Sequence, residues 1–275
     1  MPVYAELFNP KILPNEDVLF RISTRKKLDI ENNYIEVYVN NEKYDIAVKL
    51  NKVRYITRFG TCFIGEVSGW INNTDTNIFS EPGTYSLNFR NDTLGISFTN
   101  ELEVINLSAA DKAILNIFDN AEKPYLKRFL TEKFSVEDYE RENIIELYED
   151  ILVKFPEALY AKNINYFLGE YKFEKIMRSR FRSKEEYNNN MKALKSILPY
   201  FENAVQNDNF NYKSFYYHKA IFSYAQAKGF YAKFCIDDID QKQLAIKECI
   251  QKLNSLRPTR RYTGYGYSME SEAHK

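Results

Sequence analysis

Two histidines, His218 and His274, are the only ones in the chain, so a Ser-His-Asp or Cys-His site would have to use one of them. The neighbours of His218, residues 215–220, have the pattern of a helix interior, where histidine packs or hydrogen-bonds more often than it catalyses. His274 lies in a C-terminal stretch without helical or strand period. We therefore predict no catalytic residue and a non-enzymatic protein.

The residue patterns that hold metals and phosphates are also missing from the sequence. Cys62, Cys235 and Cys249 form no CxxC pair, and the count of two histidines argues against a zinc site. Cys235 and Cys249 are able to pair, although free thiols in a reducing compartment explain them equally well. No glycine-rich phosphate loop follows a predicted strand. We predict neither a metal nor a cofactor.

Three carboxylates, Asp237, Asp238 and Asp240, lie close together before the last predicted helix. Oxygen ligands of this kind suit a divalent cation, and a metal-dependent hydrolase built on them is one hypothesis. The run lacks the glycine and the distal glutamate of a calcium loop. Acidic residues before a helix stabilise its positive end, and we favour this structural interpretation.

The densest basic run of the chain consists of Lys175, Arg178, Arg180, Arg182 and Lys184. Arginine in such a run is able to grip phosphate or an acidic peptide, whereas a solvated turn at a helix end is the simpler interpretation. If this region binds a partner, we expect Arg178, Arg180 and Arg182 to take part, together with Tyr216 as an outward-facing aromatic residue.

Overall charge and aromatic content restrict the class of partner. Lysine plus arginine and aspartate plus glutamate both total 38, so the formal net charge is zero, and the basic excess of a nucleic-acid binder is missing. The 22 tyrosines and 20 phenylalanines supply apolar area for burial. Tyrosine also suits recognition surfaces, because its hydroxyl remains in water while its ring makes contacts.

The first hundred residues alternate apolar and polar side chains with a period of two, which predicts short strands. The predicted strands cover residues 18–22, 34–39, 44–50, 62–71, 81–90, 94–98 and 102–105. The second and third form a hairpin around the polar loop Asn40–Lys43. This arrangement predicts an antiparallel β-sandwich over residues 1–107.

The apolar spacing becomes helical from Ser108 onward. Ser108, Ser135 and Ser183 are candidate helix caps, with Glu186 completing a capping box at the third. We predict an all-α region over residues 108–258, which ends at Pro258, and a mobile tail over 259–275. The predicted fold class is α+β multidomain.

Pro82–Leu87, followed by Leu102–Val104, resembles late strands of bacterial immunoglobulin-like domains. The resemblance implies an immunoglobulin-like sandwich and makes Tyr85 the candidate for a tyrosine corner, in which the hydroxyl bonds back to the chain.

The helical half resembles a degenerate tetratricopeptide region, built from helix–turn–helix units of about 34 residues. Tyr148, Ile151 and Pro156 have the spacing of one unit, and Ala161 and Leu168-Gly169 resemble the start of the next. The resemblance implies that a concave helical face binds a peptide or protein.

We therefore predict an adaptor protein, in which the helical region grips a protein or peptide partner and the sandwich docks or anchors. An exported carbohydrate- or surface-binding module of a bacterial cell envelope is the alternative. No stretch of the sequence has the length of a membrane-spanning helix. Localisation is predicted to be cytoplasmic if Met1 is the native start, and periplasmic or cell-surface if a signal sequence has been removed.

Overall fold

A computed structural model divides the chain into two compact units. It describes residues 4–24, 35–44, 49–53, 65–71, 73, 77–92, 96–120, 128, 130, 135–141, 143–178, 183–206 and 212–255. Unit 1 comprises residues 1–108 and 208–215, and unit 2 comprises residues 109–207 and 216–275. The chain thus builds most of unit 1, continues into unit 2, and returns to unit 1 for one short segment.

Nine described strands form two sheets in unit 1. They are β1 (Tyr4–Leu7), β2 (Lys11–Ile12), β3 (Val18–Thr24), β4 (Glu36–Val39), β5 (Glu42–Tyr44), β6 (Lys49–Val53), β7 (Gly65–Ile71), β8 (Gly83–Asn91) and β9 (Ile96–Val104). The four-stranded sheet has the order β1-β3-β7-β6, and the five-stranded sheet has the order β2-β9-β8-β4-β5. All pairs are antiparallel except β2 with β9, which run parallel.

Alternating apolar residues of these strands form the core of unit 1. Its buried members are Ile12, Val18, Phe20, Ile35, Val37, Val39, Ile71, Phe79, Leu87, Phe89, Leu102 and Val104. The ring centroids of Phe20 on β3 and Phe89 on β8 lie 4.7 Å apart. The period of two in the sequence therefore does place one side of β3, β4, β8 and β9 in the interior.

The predicted hairpin is confirmed, with a shorter turn than expected. β4 pairs with β5 from Val37↔Tyr44 to Val39↔Glu42, so Asn40 and Asn41 alone form the turn. Both have positive φ, 50° and 71°, which a two-residue turn of the primed type requires and asparagine tolerates. The hydroxyl bond proposed for Tyr85 is also present, since its hydroxyl donates to the Glu81 carbonyl at 2.9 Å.

The predicted fold class, an antiparallel immunoglobulin-like β-sandwich followed by a separate tetratricopeptide-like region, is wrong. The fold is mixed α/β, and its five-stranded sheet includes the parallel pair of β2 with β9. β9 is one nine-residue strand where two were predicted, because polar residues 99–101 continue the pairing with β8. Residues 208–215, expected among the helices, belong to unit 1.

Seven described helices make up unit 2. They are α1 (Ala109–Asp119), α2 (Val136–Arg141), α3 (Ile144–Lys154), α4 (Tyr160–Arg178), α5 (Lys184–Ala204), α6 (Tyr217–Cys235) and α7 (Ile239–Ser255). From α3 to α7 each helix packs on the next along the chain. A repeat of about 34 residues does not describe them, because α4 begins at Tyr160 and α6 at Tyr217.

Polar side chains set the starts of several helices. Ser183 Oγ accepts a hydrogen bond from the Glu186 amide at 3.1 Å, and Ser135 Oγ accepts one from the Asp138 amide at 3.2 Å. Two of the three predicted caps, at Ser135 and Ser183, are therefore present. Asp111, in the first turn of α1, is buried and accepts from the amide of Tyr160 at 3.1 Å. It therefore also caps the first residue of α4.

The predicted tail, residues 259–275, lies outside the described residues. Within the part of the chain that the structure describes, none of the helices combines the length and apolarity needed to cross a membrane.

Candidate functional site

Helix α4 is the central element of unit 2, since every residue from 160 to 171 is buried. Its buried polar side chains are held by specific partners. Lys162 Nζ donates to the Gln206 carbonyl at 2.6 Å, and Asn163 Nδ2 donates to the Leu130 carbonyl at 3.1 Å. Such bonds offset the cost of removing polar groups from water. Bonds to neighbouring elements therefore hold part of the polar sequence of α4 in the interior.

An open groove of about 360 Å³ lies where the C-terminal parts of α3 and α5 meet α4. Three apolar residues, Leu152, Val153 and Pro156, come from the last turn of α3 and the residues after it. Pro199 lies inside α5 and lines the groove together with Asn203, one turn further on. We call this feature the α3–α5 groove.

The rim of the α3–α5 groove carries the most exposed large apolar side chain among the described residues. Val153 is 82% exposed, although it lies on an amphipathic helix whose other face is buried through Ile144, Tyr148 and Ile151. A single exposed apolar residue is ordinary, but here it adjoins a concave surface with further apolar lining. The groove thus offers an apolar contact area at its mouth.

Asn165 of α4 is the most deeply buried polar residue of the groove. It is 6% exposed, and its Nδ2 donates to the Ala161 carbonyl one turn earlier at 2.8 Å. This bond fixes the amide orientation and directs Nδ2 toward the helix backbone. No described residue donates to Asn165 Oδ1, which leaves a hydrogen-bond acceptor at the groove.

One wall of the groove contains an ion pair shared by three helices. Lys172 Nζ on α4 lies 2.6 Å from Glu149 Oε1 on α3 and 5.1 Å from the ring centroid of Tyr200 on α5. Burial lowers the pKa of Lys172, but hydrogen bonds to Glu149 and Tyr200 outweigh it, and the pKa is raised overall. The surroundings of Lys172 therefore favour its positively charged form.

The structure places the predicted partner-binding residues apart from this groove. Tyr216 is 6% exposed, and its ring stacks on Tyr166 with centroids 5.0 Å apart, so its ring belongs to the interior of unit 2. Arg178 is exposed at the end of α4, where it pairs with Glu137 at 3.1 Å and Glu174 at 3.2 Å. Arg180 and Arg182 lie outside the described residues. Their role in binding stays a prediction.

The other candidate groups of the sequence have structural roles where they are described. The carboxylate of Asp238 accepts from the Gln241 amide at 2.8 Å and caps α7, as the structural interpretation of the acidic run predicts. Cys235 and Cys249 are free thiols, so the possible disulfide between them is not formed. His218 is half-buried on α6, with its ring edge-on to Tyr217 at 5.9 Å.

Among the described residues, no group of three or more histidine, cysteine, aspartate or glutamate side chains is placed to hold a metal ion. The α3–α5 groove itself carries one carboxylate, two amides and one phenol. That set binds by hydrogen bonding and charge.

Sequence reasoning missed this groove entirely. Asn165 lies in a helix whose mean hydropathy gives no sign of burial, and Val153 has the spacing of an ordinary surface residue. One signal was available, since Pro199 inside a predicted helix marks an irregular backbone position.

No protein-family model, curated protein or solved structure matches this chain. The functional argument therefore rests on the contacts of its own residues.

Proposed function

We propose that the chain is a non-enzymatic interaction protein, whose helical unit binds an extended segment of a partner protein in the α3–α5 groove. The observation that carries this proposal is the combination of an exposed apolar rim at Val153 with a buried amide at Asn165. Apolar side chains of a partner segment would cover the rim, while main-chain groups would meet the amides.

The shape of the groove favours a peptide over a small molecule. Sites for small molecules enclose most of their ligand, whereas the α3–α5 groove is open along the exposed side of Val153. Asn165 and Asn203 each carry a carbonyl and an amino group, the complements of a peptide main chain. A chain segment passing through an open groove satisfies both conditions.

Peptide display on the full chain tests the proposal. Random dodecapeptides are selected against the immobilised protein, and enriched peptides are synthesised and measured by fluorescence anisotropy. The variant Val153→Asn should weaken binding about fivefold or more, because it removes apolar contact area. The matched variant Leu244→Asn changes another exposed apolar residue, on α7, and should bind within about twofold of the unmodified chain.

Two results would contradict the proposal. One is a selection in which no peptide is enriched over a surface without protein. The other is a set of enriched peptides that bind Val153→Asn as tightly as the unmodified chain, since these peptides use a different surface.

A further inference from the structure

Two side chains with hydrogen-bond acceptors, Asn165 and Glu149, line the α3–α5 groove. Asn165 presents Oδ1 from a side chain that is 6% exposed, with its Nδ2 bonded to the Ala161 carbonyl. Glu149 keeps a partly exposed carboxylate, of which Oε1 accepts from Lys172. Both side chains line the groove. A ligand that fits them has to bring hydrogen-bond donors.

Helix direction adds a negative potential at the same place. Leu152 and Val153 lie in the last turn of α3, and Asn203 lies in the last turn of α5. The carbonyl ends of two helices therefore border the groove, and a helix C-terminus favours cations. Asn165, whose Oδ1 accepts no hydrogen bond from a described residue, also lines the groove, so the preference does not depend on the helix ends alone.

Among the described residues, Glu149 is the one charged side chain that lines the groove, and the charges of the two helices beside it can be compared. Three of the four charged residues on α3 are acidic, namely Glu146, Glu149 and Asp150, and Lys154 is the basic one. The six charged residues of α5, three lysines and three glutamates, balance each other. Lys172 engages Oε1 of Glu149 and lies over the ring of Tyr200, which leaves Oε2 of Glu149 for a second donor.

We propose that the α3–α5 groove binds an arginine or lysine side chain of the partner segment. The cationic head would bind the Glu149 carboxylate and Asn165 Oδ1, and the methylene stem would lie along Val153 and Pro156. This inference rests on the proposed peptide-binding function and adds the chemistry of the residue recognised.

Peptide pools with a fixed central residue test this chemistry on the full chain. Each pool consists of acetylated, amidated heptapeptides that are random at the other positions, with arginine, lysine, citrulline, norleucine or glutamate at the centre. Citrulline keeps the shape of arginine without its charge. Binding to immobilised pools is measured by biolayer interferometry at low salt, where charge effects are largest. The arginine and lysine pools should bind at least about fivefold tighter than the other three.

Two pairs of variants test which side chains cause the preference for a cationic central residue. Glu149→Gln should reduce the affinity advantage of the arginine pool over the citrulline, norleucine and glutamate pools to below about twofold. Glu248→Gln should leave it unchanged, because Glu248 belongs to a separate lysine pair with Lys228 on α6 and α7. Asn165→Ala should weaken the arginine pool, whereas Asn190→Ala, which removes a similar bond to a carbonyl one turn earlier on α5, should not. Glu149 is partly exposed, so its variant remains informative even if Asn165→Ala fails to fold.

Each remaining outcome overturns a defined part of the proposal. If all pools bind equally and Val153→Asn weakens them, the groove binds peptides without reading a cation, and this inference alone is wrong. If no pool binds, the proposed function fails with it. If free spermidine binds with the same dependence on Glu149 and no pool does, the groove is a site for small cations.

Discussion

The hydroxyl of Tyr212 lies 2.8 Å from both carboxylate oxygens of Glu16, although 196 positions of sequence separate the two residues. Glu16 is 1% exposed, and it also accepts from the amides of Leu13 at 3.0 Å and Phe215 at 2.8 Å. Three hydrogen-bond donors thus contact this buried carboxylate, and the donors of Tyr212 and Phe215 join their segment to the rest of unit 1.

Replacing Tyr212 with phenylalanine should destabilise unit 1. The change removes one donor from a buried carboxylate, for which we expect a loss of about 1.5 to 3 kcal/mol in the free energy of unfolding. Tyr38→Phe is the matched control, because Tyr38 also donates to a glutamate, Glu36, but at a partly exposed position. Urea unfolding followed by circular dichroism compares the variants, and equal losses would show that burial of Glu16 gives its bond no special weight.

Two glycines in long helices should respond to alanine with opposite signs. A Cβ on Gly169 of α4 would lie 2.7 Å from the buried ring of Phe201, so Gly169→Ala should cost about 1 to 3 kcal/mol by overpacking. Gly229 of α6 has nothing within 4 Å of that position, and Gly229→Ala should stabilise by up to about 1 kcal/mol. Thermal unfolding measures both, and a stable Gly169→Ala protein would refute the close packing of α4 against α5.

The contact of Glu140 with Lys175 and Tyr171 should make the stability of the protein depend on pH. Hydrogen bonds from Lys175 at 3.1 Å and Tyr171 at 2.9 Å hold the pKa of Glu140 below its ordinary value of 4.5. A lowered pKa contributes stability that is present above the unfolded pKa and lost as pH falls through the folded pKa. The difference in Tm between the unmodified chain and Glu140→Gln should therefore shrink as the pH falls below 4.5.

Calorimetry between about pH 7 and pH 3 measures this difference. Glu157→Gln, at an exposed position, controls for the loss of one charge. A Tm difference that stays constant over the whole range would mean that the contact does not form in solution.

The two described cysteines should differ in reactivity. Cys249 is 4% exposed, and burial raises the pKa of its thiol to about 11. Cys235 is only half-buried, and burial raises its pKa as well. Because the thiolate is the reactive form, iodoacetamide at about pH 8 should modify Cys235 at least about tenfold faster. Peptide mass spectrometry gives both rates, which should converge in urea; equal rates in the native protein would contradict the burial of Cys249.

The spacing of residues that are close in sequence was sufficient to predict parts of unit 1 and the starts of two helices. The hairpin of β4 and β5 and the strand β8 follow from alternation, and the caps at Ser135 and Ser183 follow from spacing over one turn. β2 was missed because it contains two residues and pairs with β9, which lies far along the sequence. Pairing of that kind leaves no periodic signal.

The candidate site depended on information that is not local. Tyr216 was assigned to a surface, yet it stacks on Tyr166, because a helix with aromatic residues on several sides does not reveal which side is covered. Asn165 was not considered at all, since its polar neighbours on α4 suggest exposure rather than burial. Its place at the groove follows only from the packing of α3, α4 and α5.

The return of the chain to unit 1 at residues 208–215 has a consequence for biosynthesis. The ribosome synthesises residues 1–108 well before it adds Tyr212. At ordinary elongation rates, the time between the synthesis of residue 108 and that of Tyr212 is about 5 to 20 s. During that interval the nascent β unit has the Leu13 amide for Glu16 but lacks the donors of Tyr212 and Phe215. Helices α1 to α5 are synthesised within the same interval, so the first unit begun on the ribosome is completed only after most of the second has emerged.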